Sequence, residues 1–143
     1  MYERILVALD GSKMAEAVLA YVEKMAASFG SEITLAHVCP PEEGPFTHMH
    51  EIYMDFLRKG LSQKLKGKKA TVKSVLLTGI PQVEILNYAE KNNSGLIALT
   101  THGRGGIGRW VLGSISDKVI RAAKTPLLVI HSKKSGEEPK PTD

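Results

Sequence analysis

Residues 96–114 read Leu96-Ile97-Ala98-Leu99-Thr100-Thr101-His102-Gly103-Arg104-Gly105-Gly106-Ile107-Gly108-Arg109-Trp110-Val111-Leu112-Gly113-Ser114. Four apolar residues give the pattern of a short buried strand, a basic glycine-rich loop follows, and helical periodicity runs from Ser114 to Lys124. A strand that feeds a glycine loop ending at a helix N-terminus delivers unpaired N–H groups where the helix dipole favours negative charge. This is the chain's densest concentration of anion-binding features. Glycines at 103, 105, 106 and 108 let the backbone approach a ligand closely, and Arg104 and Arg109 offer counter-charge or point to solvent.

Gly103 to Gly108 also matches G-x-G-x-x-G in letters. A dinucleotide fold places that motif after its first strand, with an acidic residue about 20 positions later. Here the motif comes late, and that distance leads into the apolar run Leu127-Leu128-Val129-Ile130. No glycine of the loop is followed by Lys-Ser or Lys-Thr, so a Walker A loop is excluded as well.

Outward from the loop, the chain alternates strand and helix patterns. Arg4 to Leu9, Ile33 to Val38, Thr71 to Leu77, Leu96 to Leu99 and Pro126 to His131 read as strands. The first helix is expected over Lys13 to Phe29, with Ala17, Val18, Tyr21, Met25 and Ala26 as its apolar stripe. Asp10-Gly11-Ser12 supplies its turn and cap, and Gly30-Ser31 closes it. The second helix is expected over Met49 to Leu65 around Ile52, Phe56, Lys59 and Gln63. The third, Val83 to Glu90, has Pro81 in its first turn, where the missing N–H costs nothing. Cys39 to His48 holds three prolines and a glycine and reads as an irregular connection.

This alternation calls for an α/β fold, an open, doubly wound, five-stranded parallel sheet with helices on both faces. The order expected is 3-2-1-4-5. Its switch point falls between the first and fourth strands, where outgoing loops diverge and leave a crevice at the strand C-termini. Those loops are Asp10-Gly11-Ser12 and Thr100 to Ser114. Residues 1–131 form the domain, and the charged, proline-containing stretch 132–143 reads as a disordered tail.

The chain has 143 residues, a net charge of +4 and a single cysteine, Cys39. Its length fits one domain. One cysteine excludes an internal disulfide and any cysteine-rich zinc site, which suits a reducing cytosol. No run approaches the ~20 apolar residues that span a bilayer, and Met1 to Leu6 enters a strand pattern without a leader, so a cytoplasmic protein is expected. The modest charge, partly in the tail, comes without a recognised nucleic-acid module.

The residues 100–114 and their surroundings resemble the universal stress protein family, whose ATP-binding members carry G-x2-G-x9-G-[S/T]. Gly103, nine residues, then Gly113 and Ser114 reproduce its second half. Ile5 to Ser12, Ala36-His37-Val38 and Gly79-Ile80-Pro81 match further family positions in order, so the resemblance covers nearly the whole chain. It implies the adenine nucleotide alpha hydrolase-like fold, with ATP, alone or with magnesium, or AMP or cyclic AMP as ligand.

By position it implies that Asp10 approaches the adenosine moiety, that the Val38 backbone meets the adenine edge, and that Thr100 lies near the ribose and α-phosphate. Gly103, Gly113, Ser114, Ile115 and Ser116 would hold the phosphates, with Arg104 added as a candidate by its charge alone. Asp10 alternatively stabilises its own turn, and Ser114 alternatively caps its helix with Asp117. Thr100 departs from the signature's first glycine and puts a branched Cβ at that position.

His48-Met49-His50-Glu51 has metal-like composition, but its two histidines diverge on a helix, so no metal site is assigned. Structural packing is preferred for His102 and Trp110, and Cys39 is read as an inert thiol. No arrangement for covalent catalysis is present in the sequence pattern.

The leading expectation is a small nucleotide-binding stress-response protein that senses ATP rather than consuming it. A slow ATP hydrolase or phosphate-transferring enzyme, with Asp10 or His102 as base, is the alternative from another class. A member that binds only protein partners is the third. A homodimer through the edge strand Pro126 to His131 is expected.

Overall fold

Five of the six residues of Arg4–Leu9 are apolar, and a strand buried on both faces of a parallel sheet reads as such an unbroken run. In the computed structural model, which describes residues 2–42, 47–102 and 114–132, this segment is the central strand β1. The other strands are β2 (Glu32–Cys39), β3 (Thr71–Thr78), β4 (Leu96–His102) and β5 (Leu127–Ser132). All pairings are parallel, and the order is β3-β2-β1-β4-β5. The order expected from the alternation is the one found.

Successive residues of a strand point to opposite faces, and the core divides accordingly. Ile5, Val7, Leu9, Ile33, Leu35, Leu96 and Ala98 pack on one face against α1 (Val18–Phe29) and α2 (Thr47–Lys64). Leu6, Ala36, Val38, Ile97 and Leu99 pack on the other against α3 (Pro81–Lys91) and α4 (Ser114–Ala122). A turn of 3-10 helix, Met14–Ala17, leads into α1. Gly30 ends α1 at φ 67°, a left-handed cap that glycine adopts without a Cβ penalty, and Pro81 occupies the first turn of α3 as expected.

Two helix faces differ from their sequence reading. In α1 the buried positions are Val18, Val22 and Ala26, while Tyr21 is 47% exposed. Tyr21 lies one residue, about 100° of helix rotation, from Val22 and so looks outward. In α2 the core takes Met54, Leu57 and Leu61, with Leu65 just beyond, whereas Ile52 and Phe56 are 59% and 72% exposed. This helix carries two apolar stripes. The one spaced 3, 4 and 4 residues faces the sheet, because it presents four aliphatic side chains where the other ends in Lys59 and Gln63.

Strand bounds also differ from expectation: β2 and β3 run on to Cys39 and Thr78. β4 continues through Thr100 to His102, and β5 includes Ser132, which is buried and pairs in register with His102. Both extensions follow from one register, since the last three residues of β4 find partners in Ile130, His131 and Ser132. The rest of the expected tail, 133–143, lies outside the described residues. No helix among the described residues is long and apolar enough to cross a membrane.

Candidate functional site

β1 is flanked by β2 and β4, which were reached by crossovers on opposite faces of the sheet. Connections leaving β1 and β4 therefore part from each other, and the gap lies at their C-terminal ends. Leu9 and His102 end those strands, and the chain leaves through Asp10-Gly11-Ser12 on one side and residues 103–113 on the other.

The first of these loops is tied by its own side chains. Asp10 Oδ1 accepts from the Ser12 backbone N–H at 2.8 Å and from the Ser12 hydroxyl at 2.5 Å. Ser12 Oγ in turn accepts from the Ala15 N–H at 3.2 Å, satisfying a donor at the start of the 3-10 turn. Gly11 sits at φ 88°, the left-handed region where a side chain is strained. The Asp10 carboxylate thus has a structural role in its turn, and it stays exposed at the mouth of the crevice.

Thr100 lies inside β4, opposite Ile130, and is 7% exposed. Its hydroxyl donates to the Ala15 carbonyl at 3.0 Å. The branched side chain is therefore turned toward the 3-10 turn, where it pins the β1–α1 connection to β4. The Thr100 carbonyl accepts a long bond from Ser116 Oγ at 3.3 Å, which fixes the first turn of α4 against the end of β4. Thr101, next along, is buried and shares a 2.9 Å hydrogen bond with His131 Nδ1.

Val38 is buried near the end of β2, opposite Leu77, on the α3 and α4 face. Its backbone belongs to the same row of strand ends as Asp10 and Thr100. Ser114 and Ile115 open α4, so their backbone amides lie at the helix N-terminus. Asp117 follows in that first turn, where its carboxylate accepts from Arg121 Nε at 3.0 Å. The structure thus brings Asp10, Val38, Thr100, Ser114, Ile115 and Ser116 to the C-terminal side of the sheet. Gly103, Arg104 and Gly113, with Arg109 and Trp110, lie outside the described residues.

A second constellation escaped the sequence reading. His37 and Cys39 flank Val38 and so share the opposite face of β2, beneath the first turn of α2. His50 from that turn meets them: the His37 and His50 rings are 4.6 Å apart at 42°. His48, two residues away, diverges as expected and lies 3.6 Å from Glu51 at the surface. The available sequence signal was the strand period, which puts residues 37 and 39 on one side. What it lacked was the phase of α2.

An open groove of about 470 Å³ runs between α2 and β3, with His48, Asp55 and Ser74 among its walls. It borders the outer strand β3, which two strands separate from β4, and is separate from the crevice.

The family model for the universal stress protein family matches residues 1–131. Universal stress protein MJ0577 of Methanocaldococcus jannaschii is 26% identical in sequence, over 94% of this chain and 98% of its own. The solved structure of MJ0577 superposes with a TM-score of 0.80 at 29% identity, covering 94% of this chain and 99% of that one. A universal stress protein from Archaeoglobus fulgidus, solved in complex with dAMP, is similar at a TM-score of 0.71 and 21% identity, over 90% and 98% of the two chains. A third solved structure, of a universal stress protein in complex with cAMP, gives a TM-score of 0.69 at 20% identity, over 92% and 98% of the two chains.

Proposed function

Since this chain belongs to the universal stress protein family, we propose that it binds an adenine nucleotide, with ATP as its regulatory ligand, in the crevice between β1 and β4. The observation that carries this reading is the junction of β4 and α4. An eleven-residue connection, 103–113, leaves the switch point of the sheet and ends on the helix opened by Ser114. A polyanion at that place meets the N–H groups and the dipole of the helix N-terminus. The dAMP and cAMP held by two structural neighbours share an adenine and one phosphate, which agrees with such a site.

In this reading the phosphates rest on Gly103, Arg104, Gly113 and the N-terminal amides of Ser114, Ile115 and Ser116. The adenine edge faces the Val38 backbone, and Asp10 meets the ribose hydroxyls. Thr100 contributes through backbone position, because its hydroxyl is engaged by Ala15. The nucleotide acts as a signal: its occupancy changes what the protein associates with in the cytoplasm under stress. The protein works as a homodimer, formed where β5, an edge strand, pairs with its copy.

Thermal unfolding with ATP tests the site. A ligand at a hundredfold excess over its dissociation constant stabilises the native state by about 2.7 kcal/mol, several degrees in a chain of this size. ATP raises the melting temperature of the wild type and leaves Gly113→Val unmoved, because a branched side chain blocks phosphate from the backbone. Equal shifts in both proteins would put the ligand elsewhere.

A further inference from the structure

We propose that His37, Cys39 and His50 form a site for a thiophilic divalent ion, zinc, that clamps the end of β2 to the first turn of α2. The ligating atoms of the three side chains lie within 4.8 Å of one another. His37 and Cys39 are both buried, at 5% and 3% exposure, and His50 is half-buried above them.

The His37 ring gives the independent observation. Its Nδ1 lies 3.0 Å from the Leu9 carbonyl, and a carbonyl only accepts, so Nδ1 carries the ring proton and Nε2 the lone pair. Nε2 is buried and has no hydrogen-bond partner among the described residues. A buried polar atom left in this way costs about 1–3 kcal/mol, and such atoms in native proteins call for an explanation. A metal bond supplies one. An imidazole whose other nitrogen donates to a backbone carbonyl is oriented in the manner usual for histidine ligands. Gly11 leaves that side of the ring uncovered, since a Cβ there would lie in contact with it, 3.4 Å from Cε1 and 3.9 Å from Nε2.

The donor set selects the ion. Two imidazoles and a thiolate suit zinc, whereas magnesium and calcium demand oxygen ligands that this cluster lacks. Tetrahedral bonds of about 2.0–2.3 Å require the ligand atoms to sit roughly 3.4–3.6 Å apart. His50, at the start of α2, has the freedom to close the difference by rotating its side chain. Binding releases the Cys39 thiol proton to solvent, leaves both imidazoles neutral, and involves no change of oxidation state. Water completes the fourth position. The site is independent of the nucleotide reading, although the Val38 backbone lies between two of its ligands.

Cobalt(II) added to chelator-treated protein tests the proposal spectroscopically. Cys39 is the chain's single cysteine, so a thiolate-to-cobalt charge-transfer band reports that side chain alone. One cobalt per chain is expected, with that band and the intense visible absorption of tetrahedral cobalt, displaced by zinc and untouched by magnesium. His50→Gln, at a half-buried position, should retain the fold by circular dichroism yet weaken cobalt binding by more than about a hundredfold, beyond what loss of an outer hydrogen bond costs. Cys39→Ser should abolish the band. Absence of the band at millimolar cobalt would overturn the site, as would unchanged affinity in a folded His50→Gln.

Discussion

Replacing Thr100 by valine isolates the contact that ties the first connection to β4. Valine keeps the β-branched shape that suits a buried strand and deletes only the hydroxyl. The bond lost spans 85 positions of sequence, at 3.0 Å between buried partners, and leaves the Ala15 carbonyl without its Thr100 donor. A hydrogen bond of this kind contributes about 0.5–1.5 kcal/mol. With an unfolding entropy near 2.1 cal/mol/K per residue, a chain of 143 residues melts about 2–5 °C lower for that loss. Urea unfolding followed by far-ultraviolet circular dichroism measures it, and Thr100→Ser, which keeps the hydroxyl, serves as the control. A wild-type urea midpoint in Thr100→Val, or equal losses in the two variants, would refute the role given to this bond. The same geometry sets an expectation for Thr100→Gly: the glycine restores the family signature, yet ATP binding does not tighten, because the side chain it removes faces Ala15.

Asp10→Ala removes the acceptor of two hydrogen bonds from Ser12; a loss of about 0.5–2 kcal/mol in urea is expected, as for a helix cap, together with weaker ATP binding by calorimetry. The Lys73 ammonium, hydrogen-bonded to Glu32 at 2.9 Å, holds the Glu32 carboxyl below its ordinary range. A carboxyl lowered by folding stabilises above its unfolded value, about pH 4.3, and loses that contribution as acid protonates it in the native state. Glu32→Gln should therefore be less stable than wild type at pH 7 by no more than about 0.2–1 kcal/mol, both groups being well exposed, with the gap closing below about pH 4. Val129→Lys puts a charge into the edge strand β5, and light scattering should show the wild type at twice the chain mass and the variant shifted toward monomer. A wild-type monomer at tens of micromolar would remove the dimer.

The strand order was legible because apolar runs of strand length alternate with helical patterns, and right-handed crossovers leave few topologies for such a chain. Asp10-Gly11-Ser12 was legible for a local reason: its hydrogen bonds run between residues two or three apart, within reach of turn chemistry. The phase of α2 was not. Its sequence offers Ile52 and Phe56 on one side and Met54, Leu57 and Leu61 on the other, and only the sheet beneath decides between them. That ambiguity concealed His50. Set on the wrong phase, the helix gave no reason to bring this residue over His37 and Cys39, and the cysteine was read as inert. Thr100 was a comparable case, since its place in the signature was plain while its partner, Ala15, lies far away in sequence. The direction of a side chain inside a strand follows from tertiary packing, which no local pattern records.

Isothermal titration of the protein with ATP, set beside GTP under the same magnesium concentration, bears most directly on the crevice between β1 and β4. One ATP per chain should bind with measurable heat, and GTP should bind far more weakly, because a site that reads the adenine edge through backbone groups leaves polar atoms unpaired against guanine. No heat from ATP at millimolar concentration, or equal affinity for GTP, would remove the adenine nucleotide from this crevice.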